Sequence, residues 1–476
     1  MLEPFEDVGE FWLPELPSKK VGGSITYHPG ERSQLRLAGS FWSLKEDVEA
    51  IGRCWSPREA RIILGKVAGG GEITLYGCRE AGSTVDTEHG ATQCRFEAFA
   101  VLKGVHCTTE EELRFQQFTA QLSHLEEWAN LFALDRDRTK YDPASRTQRI
   151  VYRRPELVDG ELSDGWKLSL GLEIRGPVVA VPQRGISVAT NTRIALTPPS
   201  PCPFEELLEK LDVVSSFISL AVQQPVYVTD LKARPPNREG GETCPAVVDS
   251  VDVVYYSPAS TSPARLLVPP HDMLFVLADV RGRLSAHLQC WENAWHSMLP
   301  ILSLYFGRLY EQRIHLEHRF LSLIQAVEGY HRRRMSRPEV PKQEHAARIR
   351  DILAAVPERH KTWLEGRLRY SNEPRLDKRL SELCDKWDGI MQKVVRNRKW
   401  IQRAVTIRNG LAHQKEGATR FALEELLTIS ERLKLLLDFC LLTEAGFDSA
   451  DVERLVDRYW RRHPPFIAID AKRAML

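Results

Sequence analysis

The 476-residue chain has no run of about 18 apolar residues and no basic start followed by an apolar segment, so neither a membrane span nor a secretory leader is expected. A cytoplasmic protein is the expectation. Cysteine is sparse: nine residues, at 54, 78, 94, 107, 202, 244, 290, 384 and 440, scattered and without a single CxxC pair. Reduced, mostly buried thiols are expected, and a zinc site is not. Neither sign of charge is in excess, with 65 Lys and Arg against 64 Asp and Glu. Internal repeats and low-complexity tracts are also missing. What remains, 43% hydrophobic and 27% charged, is the make-up of an ordinary globular protein long enough for two or three domains.

The net charge of +1 hides a division. Residues 301–476 hold 34 Lys and Arg against 24 Asp and Glu, a net of +10, which leaves 31 against 40, a net of −9, for residues 1–300. A field of that sign draws a polyanion towards the C-terminal part and makes its binding depend on salt.

Secondary-structure signals divide at a similar place. Ile25 and Tyr27 alternate towards one face, residues 28–32 supply a turn, and Leu35 and Leu37 alternate back, which predicts a hairpin. Short strand-like runs follow at 61–67, 72–78, 93–102, 148–153, 166–174 and 186–196, with a helix expected at 122–134. So many strands punctuated by Gly and Pro predict a sandwich or a curved antiparallel sheet. The Pro-rich run 198–203 ends them and opens an amphipathic helix over 203–222, with strand-like composition again at 226–228 and 247–256. The Ser/Pro-rich stretch 257–265 sets the expected boundary, giving a β-rich domain over 1–265 and an all-α domain over 266–476. Helices are expected at 299–334, 343–356, 361–370, 375–406 with room for a break, 421–442 and 449–460, packed as an antiparallel bundle. The fold class is therefore α+β and multidomain.

One stretch in the helical half carries chemistry: residues 407–414, IRNGLAHQ. Arg408 offers a permanent bidentate cation, Asn409 can orient a phosphate or hold an imidazole, and His413 can move a proton near neutral pH. Those groups suffice to cut RNA by attack of a 2′-hydroxyl on the neighbouring phosphorus, without metal or cofactor. Residues five apart on an ideal helix point about 140° apart, so Gly410 is expected to weaken the helix and let Arg408 and His413 converge. Arg-x4-His alone is weak, since roughly one such pair is expected by chance. Three occur, but Arg313/His318 and Arg458/His463 lack both the Asn and the Gly. Candidate RNA contacts are Arg396, Arg398, Lys399 and Arg403 before the motif, Lys415 after it, and Arg332 and Arg333 in the basic knot that begins at His331.

The 407–414 segment resembles the Arg-Asn-x3-His signature of HEPN domains, many of which are metal-independent endoribonucleases and others non-catalytic binding or scaffolding modules. Residues 320–332, FLSLIQAVEGYHR, resemble the first helix of the ApeA-like HEPN group. Residues 9–14 (GEFWLP), 23–29 (GSITYHP) and 35–41 (LRLAGSF) resemble the ApeA N-terminal domain. The resemblance implies a bacterial anti-phage abortive-infection effector that cleaves RNA, with tRNA one candidate. It also implies catalytic roles for Arg408, Asn409 and His413, support from the acidic Glu328, and pairing of two HEPN domains across one cleft. A homodimer or higher even oligomer is expected, with the N-terminal domain sensing a phage-derived trigger and holding the cleft in check. The alternative is a non-catalytic HEPN module that dimerises and binds nucleotide, RNA or protein. A β-domain binding carbohydrate or peptide, with the bundle serving dimerisation, is the weaker rival.

Overall fold

The computed structural model describes residues 4–42, 59–68, 71–86, 91–131, 140–142, 144–145, 147–149, 155–179, 186–236, 250–257, 267–310, 315–335, 338–395, 397–413 and 422–462. The chain divides into two compact units, Met1–Glu292 and Asn293–Leu476.

The first unit is built on one antiparallel sheet rather than two facing ones. Strands β1 (Phe5–Trp12), β2 (Val21–Tyr27), β3 (Ser33–Leu37), β4 (Glu59–Val67), β5 (Glu72–Asp86) and β6 (Ala91–Ala98) run in the order β5-β4-β1-β2-β3-β6, and β6 pairs back with β5. That last pairing closes a six-stranded barrel and removes the sheet's edges there. The expected hairpin is present, with Ile25 opposite Leu35 and Gly23 opposite Leu37. Alternation points Phe11, Ile25, Tyr27, Leu35, Leu37, Ile63, Leu75 and Phe96 into a common core. Close strand approach dictates glycine at two points in the 9–14 and 23–29 segments. A Cβ on Gly9 would sit 2.3 Å from the carbonyl oxygen of Lys66, and one on Gly23 2.4 Å from that of Arg36.

Beyond β5 the sheet continues through β7 (Ala100–Lys103) and then Val251–Tyr255, Val228–Arg234, Gln117–Leu122, Ile186–Thr197, Lys167–Val179 and Val158–Glu161. The helix expected at 122–134 is, among the described residues, a single turn, Leu125–Ala129: the strand runs on to Leu122, and Asn130 ends the turn in the left-handed region (φ 50°). Helix α1 (Phe204–Val222) is buried over most of its length, and its first residue, Phe204, sits among Tyr76, Phe99, Phe115 and Phe118.

The units divide inside helix α2 (Leu284–Tyr310), later than the 257–265 stretch. The reason is chemical. Glu292 is buried, accepts a hydrogen bond from the backbone N–H of Ser163 (2.7 Å) and pairs with Lys210. Burial alone would raise its carboxyl pKa, but Lys210 and the Ser163 amide hold it below the usual value. Trp291 next to it donates to Ser216 (2.9 Å).

The second unit, among the described residues, is helical: α3 (Leu316–Arg334), α4 (Lys342–Ala354), α5 (Glu358–Leu368), α6 (Leu376–Lys386), α7 (Asp388–Val395), α8 (Lys399–His413), α9 (Leu423–Glu444) and α10 (Ser449–Arg462). The helix expected at 375–406 is three helices. Helix α9 forms the centre, burying Leu433, Leu436, Leu437 and Leu441, and packs most extensively on α3. Its buried ion pair of Lys434 with Asp438, at 2.6 Å, is completed by the Tyr305 hydroxyl donating to Asp438 at 2.6 Å.

Candidate active site

Helix α8 starts where the Asn397 side chain accepts the Lys399 backbone N–H (3.1 Å). Trp400, Ile401, Ala404 and Ile407 recur at helical spacing and are buried, which anchors that face in the bundle. Arg408 lies at the margin of that face, one turn after Ala404, and is half-buried, while Asn409 turns away from it and is exposed.

Helix α8 runs unbroken through Gly410 to His413, so the expected weakening at Gly410 does not occur. A single glycine costs a helix about 1 kcal/mol, less than burial of the apolar face upstream returns. On a continuous helix, positions 408 and 413 lie about 140° apart around the axis. Of His413 only the backbone, as the last residue of α8, lies in the described part.

The Arg408 guanidinium donates from Nη1 to Asn409 Oδ1 (3.1 Å), and its Nη2 lies 3.9 Å from Glu328 Oε2 on α3. Three of the expected site residues, Arg408, Asn409 and Glu328, are therefore adjacent, and the carboxylate faces the arginine. From Glu328 a chain of charges continues. Arg332, one turn on, lies 3.8 Å from Glu328 and 3.1 Å from Glu373. Glu373 also takes Arg379 (3.1 Å), a buried arginine whose Nε donates to the Pro374 carbonyl (2.8 Å). Arg379 Nη1 meets His331 Nδ1 at 3.4 Å, and His331 Nε2 meets Glu382 at 2.6 Å. An arginine can only donate, so Nδ1 accepts and Nε2 carries the proton to Glu382.

This network revises the basic knot. His331 is fully buried between Arg379 and Glu382, where burial holds its pKa below the ordinary imidazole value against the pull of Glu382. It is not placed to grip a phosphate. Arg332 is engaged by two carboxylates, Arg333 donates to the Ser297 carbonyl, and Arg334 pairs with Glu444 at 2.8 Å. The cations expected beside the motif are similarly engaged. Arg398 pairs with both Asp385 and Asp388, and Arg403 with Glu425 (2.5 and 2.9 Å). Lys399 has no carboxylate partner among the described residues. Arg396 and Lys415 lie outside those residues. Exposed pairs of this kind contribute about 0–1 kcal/mol, so a phosphate can displace the carboxylate at little cost.

Sequence reasoning passed over Glu373 and Arg379. Their only signal was position, an acidic residue and a proline just ahead of a helix that begins at Leu376 and carries Arg379 on its first turn.

Residues 6–291 match the family model for ApeA N-terminal domain 1, and residues 321–451 match the model for Apea-like HEPN. The chain belongs to the ApeA family, with an ApeA N-terminal domain followed by an ApeA-like HEPN domain, and so is an anti-phage HEPN protein. HEPN domains are typically nucleases, commonly bind RNA and commonly dimerise. No curated protein and no solved structure matches the chain. No helix among the described residues is long and apolar enough to cross a membrane.

Proposed function

We propose that this chain is a metal-independent endoribonuclease, with tRNA one candidate substrate, that acts as a two-fold homodimer when phage infection triggers it. The observation that carries this is the setting of Arg408, half-exposed, hydrogen-bonded to Asn409 and faced by Glu328, on an unbroken helix that ends in His413.

In this mechanism a 2′-hydroxyl gives its proton to His413 and its oxygen attacks the adjacent phosphorus. Arg408 stabilises charge on the non-bridging phosphoryl oxygens. The bond to the 5′-oxygen breaks, and that oxygen takes up a proton from the His413 of a second copy, leaving a 2′,3′-cyclic phosphate and a 5′-hydroxyl. Because positions 408 and 413 of one chain lie about 140° apart on a continuous helix, a second copy supplies the convergence that one chain lacks. Glu328 and Asn409 hold the Arg408 guanidinium ready without neutralising it fully, since 3.9 Å is a charge contact and not a hydrogen bond.

A ribonuclease of this kind is toxic if always active. The N-terminal part, net −9 over residues 1–300 against +10 for the rest, restrains the RNA site until a phage-derived trigger arrives. The test is incubation of total RNA with the purified full chain, without divalent metal, alone and with extract of phage-infected cells. The expected result is fragments ending in 2′,3′-cyclic phosphate, from the wild type and not from Arg408→Ala or His413→Ala. Identical fragments from all three proteins would refute the assignment, and no cleavage even with extract would favour a non-catalytic module.

A further inference from the structure

Helices α4 and α5 form a hairpin between α3 and α6 that holds no buried residue in either helix. Its half-buried apolar positions, Ile349 and Leu353 on α4 with Leu364 and Leu368 on α5, form a narrow seam of its own. Its base is closed by Asn372, which accepts the Val340 backbone N–H and donates to the Val340 carbonyl, both at 3.0 Å. The next residue is Glu373, the carboxylate that holds Arg332, which in turn faces the Glu328 beside Arg408. The hairpin thus springs from the charge chain that ends at the candidate site.

Its outer face has no structural reason to look as it does. Trp363 is 64% exposed and Tyr370 66%. Large aromatics left in solvent on helices that bury nothing are a mark of a contact surface. On α5, Arg359, Trp363 and Arg367 follow at intervals of four, and Tyr370 comes three later, past Arg369, which keeps helical dihedrals (φ −51°, ψ −36°). All four therefore project within about 80° of one another. Cation, ring, cation and ring share one stripe. Arg359 and Arg367 have no carboxylate partner among the described residues, and the Arg369 guanidinium lies 5.8 Å from the Tyr370 ring. Over residues 342–370 there are seven Lys and Arg against four Asp and Glu, a net of +3.

We infer that this stripe is a docking face for single-stranded RNA, in which Trp363 and Tyr370 stack on unpaired bases while Arg359 and Arg367 hold the flanking phosphates. Exposed rings interleaved with uncompensated arginines are the composition of a stacking platform on a polyanion. The rings lie about 10 Å apart along the helix axis, within reach of one short segment of strand. A loop or single strand fits this face better than a duplex, whose bases are closed to stacking. The inference deepens the ribonuclease assignment and rests on it for the identity of the polyanion.

The test uses the full chain and a fluorescein-labelled, unstructured oligoribonucleotide carrying 2′-O-methyl groups throughout, which cannot undergo 2′-attack. Binding is followed by anisotropy at several salt concentrations, beside cleavage of unmodified RNA. Trp363→Ala and Tyr370→Ala should each weaken binding about ten-fold, and Trp363→Phe should recover most of the loss. Arg359→Gln with Arg367→Gln should lower the salt slope by more than one. All four side chains are exposed, so melting temperatures should stay put. Cleavage and oligonucleotide binding that both survive the double aromatic substitution would overturn the docking face and leave the ribonuclease standing. A wild type that neither binds nor cleaves would remove both. A double variant that sediments as a monomer, where the wild type is a dimer, would reassign the stripe to contact between copies and overturn its role with RNA.

Discussion

Helices α8 and α5 each carry two arginines, yet the structure uses them in opposite ways. Helix α8 has no acidic residue of its own, but Arg403 is met by Glu425 from α9 and Arg408 by Glu328 from α3. Helix α5 carries two acidic residues in its own sequence, of which Glu358 pairs with Lys361 (2.7 Å), yet Arg359 and Arg367 find no carboxylate among the described residues. Counting charges along the sequence would rank α8 as the freer cationic face, and tertiary pairing reverses that order. In this domain, partners donated by other helices decide which cations are available to a phosphate.

Buried and exposed pairs should separate most sharply. Asp438→Ala would strip Lys434 of its counter-charge inside the bundle, and Tyr305 of its acceptor, and should cost about 3–5 kcal/mol of unfolding free energy. A chemical denaturation midpoint within error of wild type would show that water reaches Lys434. Arg408→Ala sets helix α8 against catalysis: cleavage should fall at least about 100-fold, with no change in melting temperature beyond that of an exposed pair. If stability fell and cleavage did not, α8 would be a structural helix only.

A smaller effect concerns pH. Burial keeps His331 neutral in the folded protein, while in the unfolded chain it takes up a proton near pH 6.5. The unfolded state therefore binds more protons just below that value, and stability should fall as pH drops through about 6.5 towards the lower folded pKa. His331→Gln, which keeps a donor for Glu382, should flatten that part of the profile. The least change is expected from Arg403→Gln, below about 1 kcal/mol in stability. A larger loss would mean that the pairs on α8 are not as readily exchanged as their exposure implies.

Much of the architecture is legible in local pattern. The alternation of Ile25, Tyr27, Leu35 and Leu37 is enough for the hairpin, and the apolar spacing of Leu207, Leu208, Leu211 and Val214 for α1. Closure of the barrel is not legible, because it depends on β6 meeting β5 as well as β3, a choice between partners that no strand states by itself. The late division at Glu292 was hidden for a similar reason, since its partners Lys210 and Ser163 are 82 and 129 residues away. Within the site, the adjacency of Arg408 and Asn409 can be read directly. The straight run through Gly410 cannot, because propensity marks a weak point and burial of Trp400, Ile401, Ala404 and Ile407 overrides it. Trp363, in the sequence, looks like one more core aromatic of a helical bundle, and only its 64% exposure separates it from Trp387 and Trp400.

The clamp that Asn372 forms with Val340 has an evolutionary consequence. A hairpin closed at its root and contributing no buried residue to the bundle can be lengthened, shortened or given a new outer face while the helices carrying the Arg-Asn-His motif stay as they are. On the ribonuclease reading proposed above, choice of target and chemistry of attack can then change at separate rates, the first on the appendage and the second on the core.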